Sequence, residues 1–238
     1  MQYLLLHGFT GTPASLSELN APAGSLAPAL AGHLQTPVVG GFEAEVERLA
    51  ALAGERTGLF GYSLGGRLAL GLLARYPRRF QRAVVVSAQP GLSSSAERAA
   101  RRDADGRFVR MLREQGLAAF VDAWEALPLW ESQRRLSETA RQAQRAQRLR
   151  HDAAGLTQSL LQHGLGEMPD LRPFLATVET QVELVAGEHD DKFVKLNQEL
   201  VSVLPHAHLT IVPGVGHNVP LENSAAVAQL LLQGSPSS

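Results

Sequence analysis

The sequence predicts an α/β fold with a mostly parallel sheet, and three observations carry that prediction. Short apolar runs alternate with helical patterns from Tyr3 to Ser87. One of these runs, Ala83-Val84-Val85-Val86, is the continuous β-branched stretch expected of a strand covered on both faces. After a long interruption the alternation returns at Gln181 and continues to Leu232. Strands separated by helices build βαβ units, and such units lay their strands parallel.

The elements follow in order. Tyr3–Leu6 reads as a buried strand closed by His7-Gly8-Phe9-Thr10-Gly11, and Ser25–Leu30 as a second strand candidate ending near Gly32-His33. Phe42–Ala53 carries Phe42, Val46, Leu49 and Ala53 at helical spacing. Thr57–Phe60 is a short strand, and Leu64–Arg75 a helix stopped by Pro77. Arg82–Ser87 is the β-branched strand. From Ser93 to about Gly166 no strand pattern occurs, only Arg-, Ala- and Gln-rich helical sequence containing Trp124 and Trp130. Gln181–Ala186 (strand), Lys192–Leu204 (helix), His208–Val212 (strand) and Glu222–Leu232 (helix) complete the pattern. Residues 1–238 therefore read as a single domain with a helical cap, about 93–166, inserted after the strand ending near Ser87. No internal repeat is present. Low complexity is confined to Gly214-Val215-Gly216 and the Ser235-Pro236-Ser237-Ser238 tail.

Composition narrows the function classes. With 238 residues, 45% hydrophobic and 19% charged, the chain is globular in composition. Zero Cys excludes disulfides, thiolate metal sites and a cysteine nucleophile. A net charge of −1 gives no footprint for nucleic acid. No apolar run approaches the roughly 20 residues needed to span a bilayer. The stretch from Met1 to His7 is too short and uncharged for a signal peptide, so a cytoplasmic location is expected. Of 22 basic residues only Lys192 and Lys195 are lysines. Residues 96–150 hold twelve Arg against eight acidic residues, a local positive excess.

Chemistry enters at Gly61-Tyr62-Ser63-Leu64-Gly65, a G-x-S-x-G between a predicted strand and a predicted helix. A sharp strand-to-helix turn raises the Ser63 hydroxyl clear of the sheet edge, beside the positive end of a helix. Such a hydroxyl needs a base, and the base an orienting acid, in the chain order Ser, Asp or Glu, His. Leu184-Val185-Ala186-Gly187-Glu188-His189-Asp190-Asp191 places acids just past one strand, and Pro213-Gly214-Val215-Gly216-His217 places a histidine past the next. His217 is the expected base. Asp190 is the chosen acid, with Asp191 and Glu188 as alternatives. The backbone N–H groups of Leu64 and Phe9 are the expected oxyanion donors, with His7 buttressing the Phe9 loop.

These segments, together with Gly66-Arg67 after the elbow, Ser87-Ala88-Gln89-Pro90-Gly91-Leu92 and the Lys192-Phe193 that follows Asp191, resemble the α/β-hydrolase superfamily. Within it they are similar to the 2-succinyl-6-hydroxy-2,4-cyclohexadiene-1-carboxylate synthases of menaquinone biosynthesis. The resemblance covers nearly the whole chain. It implies an α/β-hydrolase fold and a lyase that eliminates pyruvate from 2-succinyl-5-enolpyruvyl-6-hydroxy-3-cyclohexene-1-carboxylate. The triad of Ser63, His217 and Asp190 would abstract the proton, with no metal and no cofactor. The implied partner is a small polycarboxylate, with no nucleic acid and no membrane; oligomeric state is left open. The resemblance further implies that Tyr62, Arg67, Arg101, Trp124 and Arg150 line the substrate site, Arg offering a planar fork matched to carboxylates. Two departures are visible. Only Met1 and Gln2 precede the first strand, so a sheet shortened at its N-terminal side is expected, and a common Asp-x-Pro-Gly-His-Gly stretch survives only as Pro28-Ala29-Leu30-Ala31-Gly32-His33. The same triad would serve a serine-dependent carboxylesterase, thioesterase or carbon–carbon bond hydrolase. A non-catalytic receptor would have no need of all three triad residues.

Overall fold

The computed structural model describes residues 1–233; the Ser235–Ser238 tail lies outside the described residues. Five parallel strands form one sheet, in spatial order β1 (Tyr3–Leu6), β2 (Gly58–Tyr62), β3 (Arg82–Val86), β4 (Gln181–Gly187) and β5 (Ala207–Val212). The register pairs Leu6 with Gly61, Gly61 with Val85, Val86 with Val185 and Gly187 with Val212. All C-terminal strand ends therefore share one edge.

Strands β1 to β4 bury both faces because their residues alternate between two apolar layers, whereas the edge strand β5 is largely part-exposed. Leu4, Leu6, Leu59, Ala83, Val85 and Leu184 pack under α1 (Phe42–Leu52) and α2 (Leu64–Arg75). Tyr3, Leu5, Phe60, Val84, Val86 and Val185 face the opposite layer, which includes Leu16 and Leu19 of a short 3₁₀ turn. Between β3 and β4 stand α3 (Ser95–Glu114), α4 (Gly116–Glu125), α5 (Glu138–Arg148), α6 (Ala153–His163) and the short α7 (Arg172–Leu175). Ser94 starts α3 with a reciprocal cap: its hydroxyl accepts the Ala96 and Glu97 N–H groups, and Glu97 accepts its N–H. Val109, Leu112, Phe120, Val121, Leu156 and Leu160 give α3, α4 and α6 a core of their own. At roughly 1.5–3 kcal/mol for each large side chain fully buried, that packing holds the helices as one layer. The chain finishes with α8 (Asp191–Val203), α9 (Val219–Glu222) and α10 (Ser224–Leu232). Among the described residues no helix is long and apolar enough to cross a membrane.

Two expected elements differ. Ser25–Leu30 is no strand: it touches the sheet only at a parallel bridge between Leu26 and Leu4, because Pro28 has no N–H to continue the ladder. The helix expected over Glu222–Leu232 is two helices. Asn223 leaves helical geometry and its side chain accepts the Ala226 N–H, which starts α10 anew.

Candidate active site

The site is assembled from turns that leave the ends of β2, β4 and β5 along one edge of the sheet. Ser63 follows β2 directly and sits at φ 52°, ψ −108°, a conformation that costs a non-glycine residue on the order of 1–3 kcal/mol. Neighbouring contacts compel it. The Ser63 N–H donates to Val86 O at 2.9 Å, and the Gly65 N–H to His7 O at 3.0 Å, which pulls the first turn of α2 onto the β1 loop. A side chain at Gly65 would meet the Leu6 and His7 carbonyls, so only glycine permits that approach.

His217 and Asp190 come to the same point from the turns after β5 and β4. His217 Nδ1–H donates to Asp190 Oδ2 at 2.7 Å, and the Ser63 hydroxyl lies 3.1 Å from His217 Nε2. Both partners of Ser63 are buried, His217 being 3% and Asp190 7% exposed, so their pairing is shielded from water. Rings of Phe193, Tyr62 and Trp130 surround the imidazole at 4.7, 5.6 and 5.6 Å between centroids. The loop carrying His217 is clipped by two carboxylates. Glu222 accepts the N–H groups of Gly216 and Asn218, and Glu188 accepts that of Gly214. Glu188 is thereby engaged elsewhere than on His217.

The expected oxyanion donors flank Ser63. Neither the Phe9 nor the Leu64 N–H donates to a backbone or side-chain acceptor among the described residues; Leu64 is the first residue of α2, where N–H groups have no intrahelical acceptor. His7 holds the loop as expected. The Leu30 N–H donates to its Nε2 at 3.2 Å, which leaves Nδ1–H to donate to Gly8 O at 2.8 Å. Complete burial pushes the His7 pKa down to about 4, so the ring is neutral.

A cavity opens above Ser63, lined by Tyr62, Arg67, Arg101 and Trp124. Tyr62 is buried, and burial raises its pKa well above the usual phenol value, so it faces the cavity as a neutral phenol. Arg67 donates to the His163 carbonyl at 2.9 Å and contacts Met168 Sδ, with no carboxylate in ion-pair reach among the described residues. Burial first, then repulsion from Arg101, lowers its pKa to about 9, which leaves the guanidinium charged at neutral pH. Arg101 is held by Asp105, one helical turn on, with Nε 3.0 Å from both oxygens. Trp124 is both wall and cap core, stacked on Phe120 at 5.7 Å and edge-on to Phe9 and Phe108 at 5.3 Å.

Arg150 is a correction. It is exposed, beyond the end of α5, and does not line the cavity. Arg148, the last residue of α5, turns inward instead, bonded to Glu125 at 2.8 Å and 5.4 Å from the Trp130 ring centre. Sequence reasoning also passed over Ser87, Gln89, Ser159 and Lys192, which line the cavity. The Ser87, Gln89 and Ser159 side-chain oxygens are buried without a partner among the described residues. Gln89 and Lys192 stood inside quoted motifs, so the signal was present.

The family model of the alpha/beta hydrolase family matches residues 3–230. A Bacillus subtilis (strain 168) protein provisionally named as 2-succinyl-6-hydroxy-2,4-cyclohexadiene-1-carboxylate synthase is 36% identical over 229 residues, 91% of this chain and 84% of that protein. The synthase of that name from Enterobacter sp. (strain 638) is 33% identical over 243 residues, covering 97% of this chain and 90% of the enzyme. The solved structure of MenH from S. aureus superposes with a TM-score of 0.90 at 27% identity, over 98% of this chain and 92% of that one. By fold, site geometry and sequence, this chain belongs to the α/β-hydrolase family and, within it, to the group of the 2-succinyl-6-hydroxy-2,4-cyclohexadiene-1-carboxylate synthases.

Proposed function

We propose that this protein is a cytoplasmic lyase that eliminates pyruvate from 2-succinyl-5-enolpyruvyl-6-hydroxy-3-cyclohexene-1-carboxylate. The product is 2-succinyl-6-hydroxy-2,4-cyclohexadiene-1-carboxylate, an intermediate of menaquinone biosynthesis. The reaction requires loss of the proton at ring carbon 2, which lies beside the succinyl ketone. As His217 Nε2 draws the hydroxyl proton from Ser63, Ser63 Oγ takes that ring proton. The freed electron pair forms the bond between carbons 2 and 3, the former ring double bond moves to carbons 4 and 5, and the bond from carbon 5 to oxygen breaks. Enolpyruvate leaves and is protonated to pyruvate. Negative charge develops meanwhile on the ketone oxygen, where the Phe9 and Leu64 N–H groups supply donors. No acyl-enzyme is needed.

The observation that carries this reading is Arg67, a charged guanidinium in the same cavity as Ser63 that forms no ion pair among the described residues, the lining carboxylate Asp105 being held by Arg101. A neutral ester gains nothing from that charge, whereas a polycarboxylate does. Pyruvate release, followed by coupling to lactate dehydrogenase with no added metal or cofactor, tests it. Wild-type protein is expected to release pyruvate, and Ser63→Ala to lower the rate by at least about a thousandfold. Turnover of p-nitrophenyl esters with no pyruvate released would assign the site to ester hydrolysis instead.

A further inference from the structure

We propose that Lys192 is a substrate-binding residue, holding one carboxylate of the substrate jointly with Arg101 at the mouth of the cavity. The inference rests on the polycarboxylate reading above and adds a cation to it. Lys192 lines the cavity that holds Ser63, Arg67 and Arg101. It lies in the first turn of α8, two residues after Asp190, so the turn that delivers the acid to His217 also sets the lysine beside the site. Its Nζ is 5.3 Å from the centre of the Phe193 ring, and that ring is 4.7 Å from the His217 ring centre. The ammonium therefore stands no more than about 10 Å from the catalytic imidazole.

Charge balance gives the lysine its role. In the cap, Arg148 and Arg145 are neutralised by Glu125 and Asp122, away from the cavity that holds Ser63. Lys192 forms no ion pair among the described residues, and neither does Arg67. The cavity thus presents Arg67, Arg101 and Lys192 against Asp105, an excess of two positive charges. Lys192 is exposed at the cavity mouth, yet partial desolvation of its ammonium, then repulsion from Arg101, lowers its pKa, while Asp190 acts the other way. A carboxylate seated between Arg101 and Lys192 relieves that repulsion, and a second carboxylate has Arg67 to itself. Lys192 is one of two lysines among 22 basic residues, the rest being arginine. A compact ammonium with three rotatable donors suits a rim that an anion must cross, where a planar fork would demand one fixed approach.

Two measurements on Lys192→Gln test this: pyruvate-release kinetics, and binding of the tricarboxylate tricarballylate by titration calorimetry. Lys195→Gln, one turn further along α8 and outside the cavity lining, is the control, and thermal melts report folding. KM and the tricarballylate Kd are expected to rise about tenfold in Lys192→Gln with kcat within about threefold, as loss of one charge-assisted contact predicts. Lys192→Arg is expected to recover part of the binding. Unchanged KM and Kd in a folded Lys192→Gln protein would overturn the proposal. If the wild type releases no pyruvate but Lys192→Gln still weakens tricarballylate, the cation site stands and only the lyase reading falls. If neither signal appears in the wild type, both fall.

Discussion

Asp190 decides which nitrogen of His217 carries the proton. A carboxylate can only accept, so Nδ1 must donate to it, and Nε2 is left unprotonated where the Ser63 hydroxyl meets it. In Asp190→Asn the amide N–H₂ can donate to Nδ1 and favour the opposite tautomer, with the proton on Nε2. We expect kcat for pyruvate release to fall on the order of 10⁴-fold with KM within a few-fold. A loss under about tenfold would mean that a neighbouring acid serves instead, although Glu188 is already bound to the Gly214 N–H. At this scale legibility followed chain locality. Ser63, Asp190 and His217 were readable because each lies a few residues past a strand, and those strand ends share one edge. The arginines were harder. In the run Arg141, Arg145, Arg148, Arg150 nothing local marks the inward one. The choice of Arg148 is made by Glu125 on α4 and by Trp130, partners 23 and 18 positions away.

Among the elements, α9 matters out of proportion to its four residues. Its last residue, Glu222, reaches back to the N–H groups on either side of His217, Gly216 at 2.9 Å and Asn218 at 3.3 Å. Two backbone donors held by one carboxylate fix the path of the loop and hence the direction of the imidazole. Glu222→Ala leaves both donors without that acceptor. It is expected to lower kcat about tenfold or more and stability by about 1–3 kcal/mol, read from pyruvate kinetics and urea unfolding. Glu222→Gln, whose amide oxygen still accepts, is expected to keep most of both, and equal losses in the two variants would refute the loop-holding role. The sequence pattern started the last helix at Glu222, whereas Glu222 closes α9 and the last helix starts at Ser224. Asn223 makes the break between them by capping α10, which frees Glu222 to serve the loop before it. Buried strands such as Ala83–Val86 read clearly because coverage on both faces demands an unbroken apolar run. Ser25–Leu30 misled because its apolar residues cover the sheet edge without joining the ladder beyond Leu26.

Sheet, oxyanion loop and cap are joined through a line of three neutral histidines. His7 and His33 lie edge to face at 5.0 Å, and His33 and His151 at 5.1 Å. Each accepts a backbone N–H: His7 from Leu30, His33 from Thr10, and His151 from Leu34. The opposite nitrogen of His151 donates to Thr10 O, which fastens the loop beside Phe9 to the start of α6. Protonation of any of these rings turns its accepting nitrogen into a donor facing an N–H. Burial accordingly lowers all three pKa values, His7 to about 4, against 6.5 in an unfolded chain. The sign follows from proton uptake. Below pH 6.5 the unfolded chain binds protons that the folded one refuses, so stability is full above pH 6.5 and declines as pH falls toward 4. For His7 alone the shift is worth about 3 kcal/mol once both limits are passed. We therefore expect the urea midpoint to fall steeply between pH 7 and pH 5, and His151→Gln to flatten that slope while lowering stability at pH 7. A midpoint that stays level across that interval would mean that the three rings take up protons as readily in the native protein as in the unfolded chain, and the accepting role assigned to each ring nitrogen would fall.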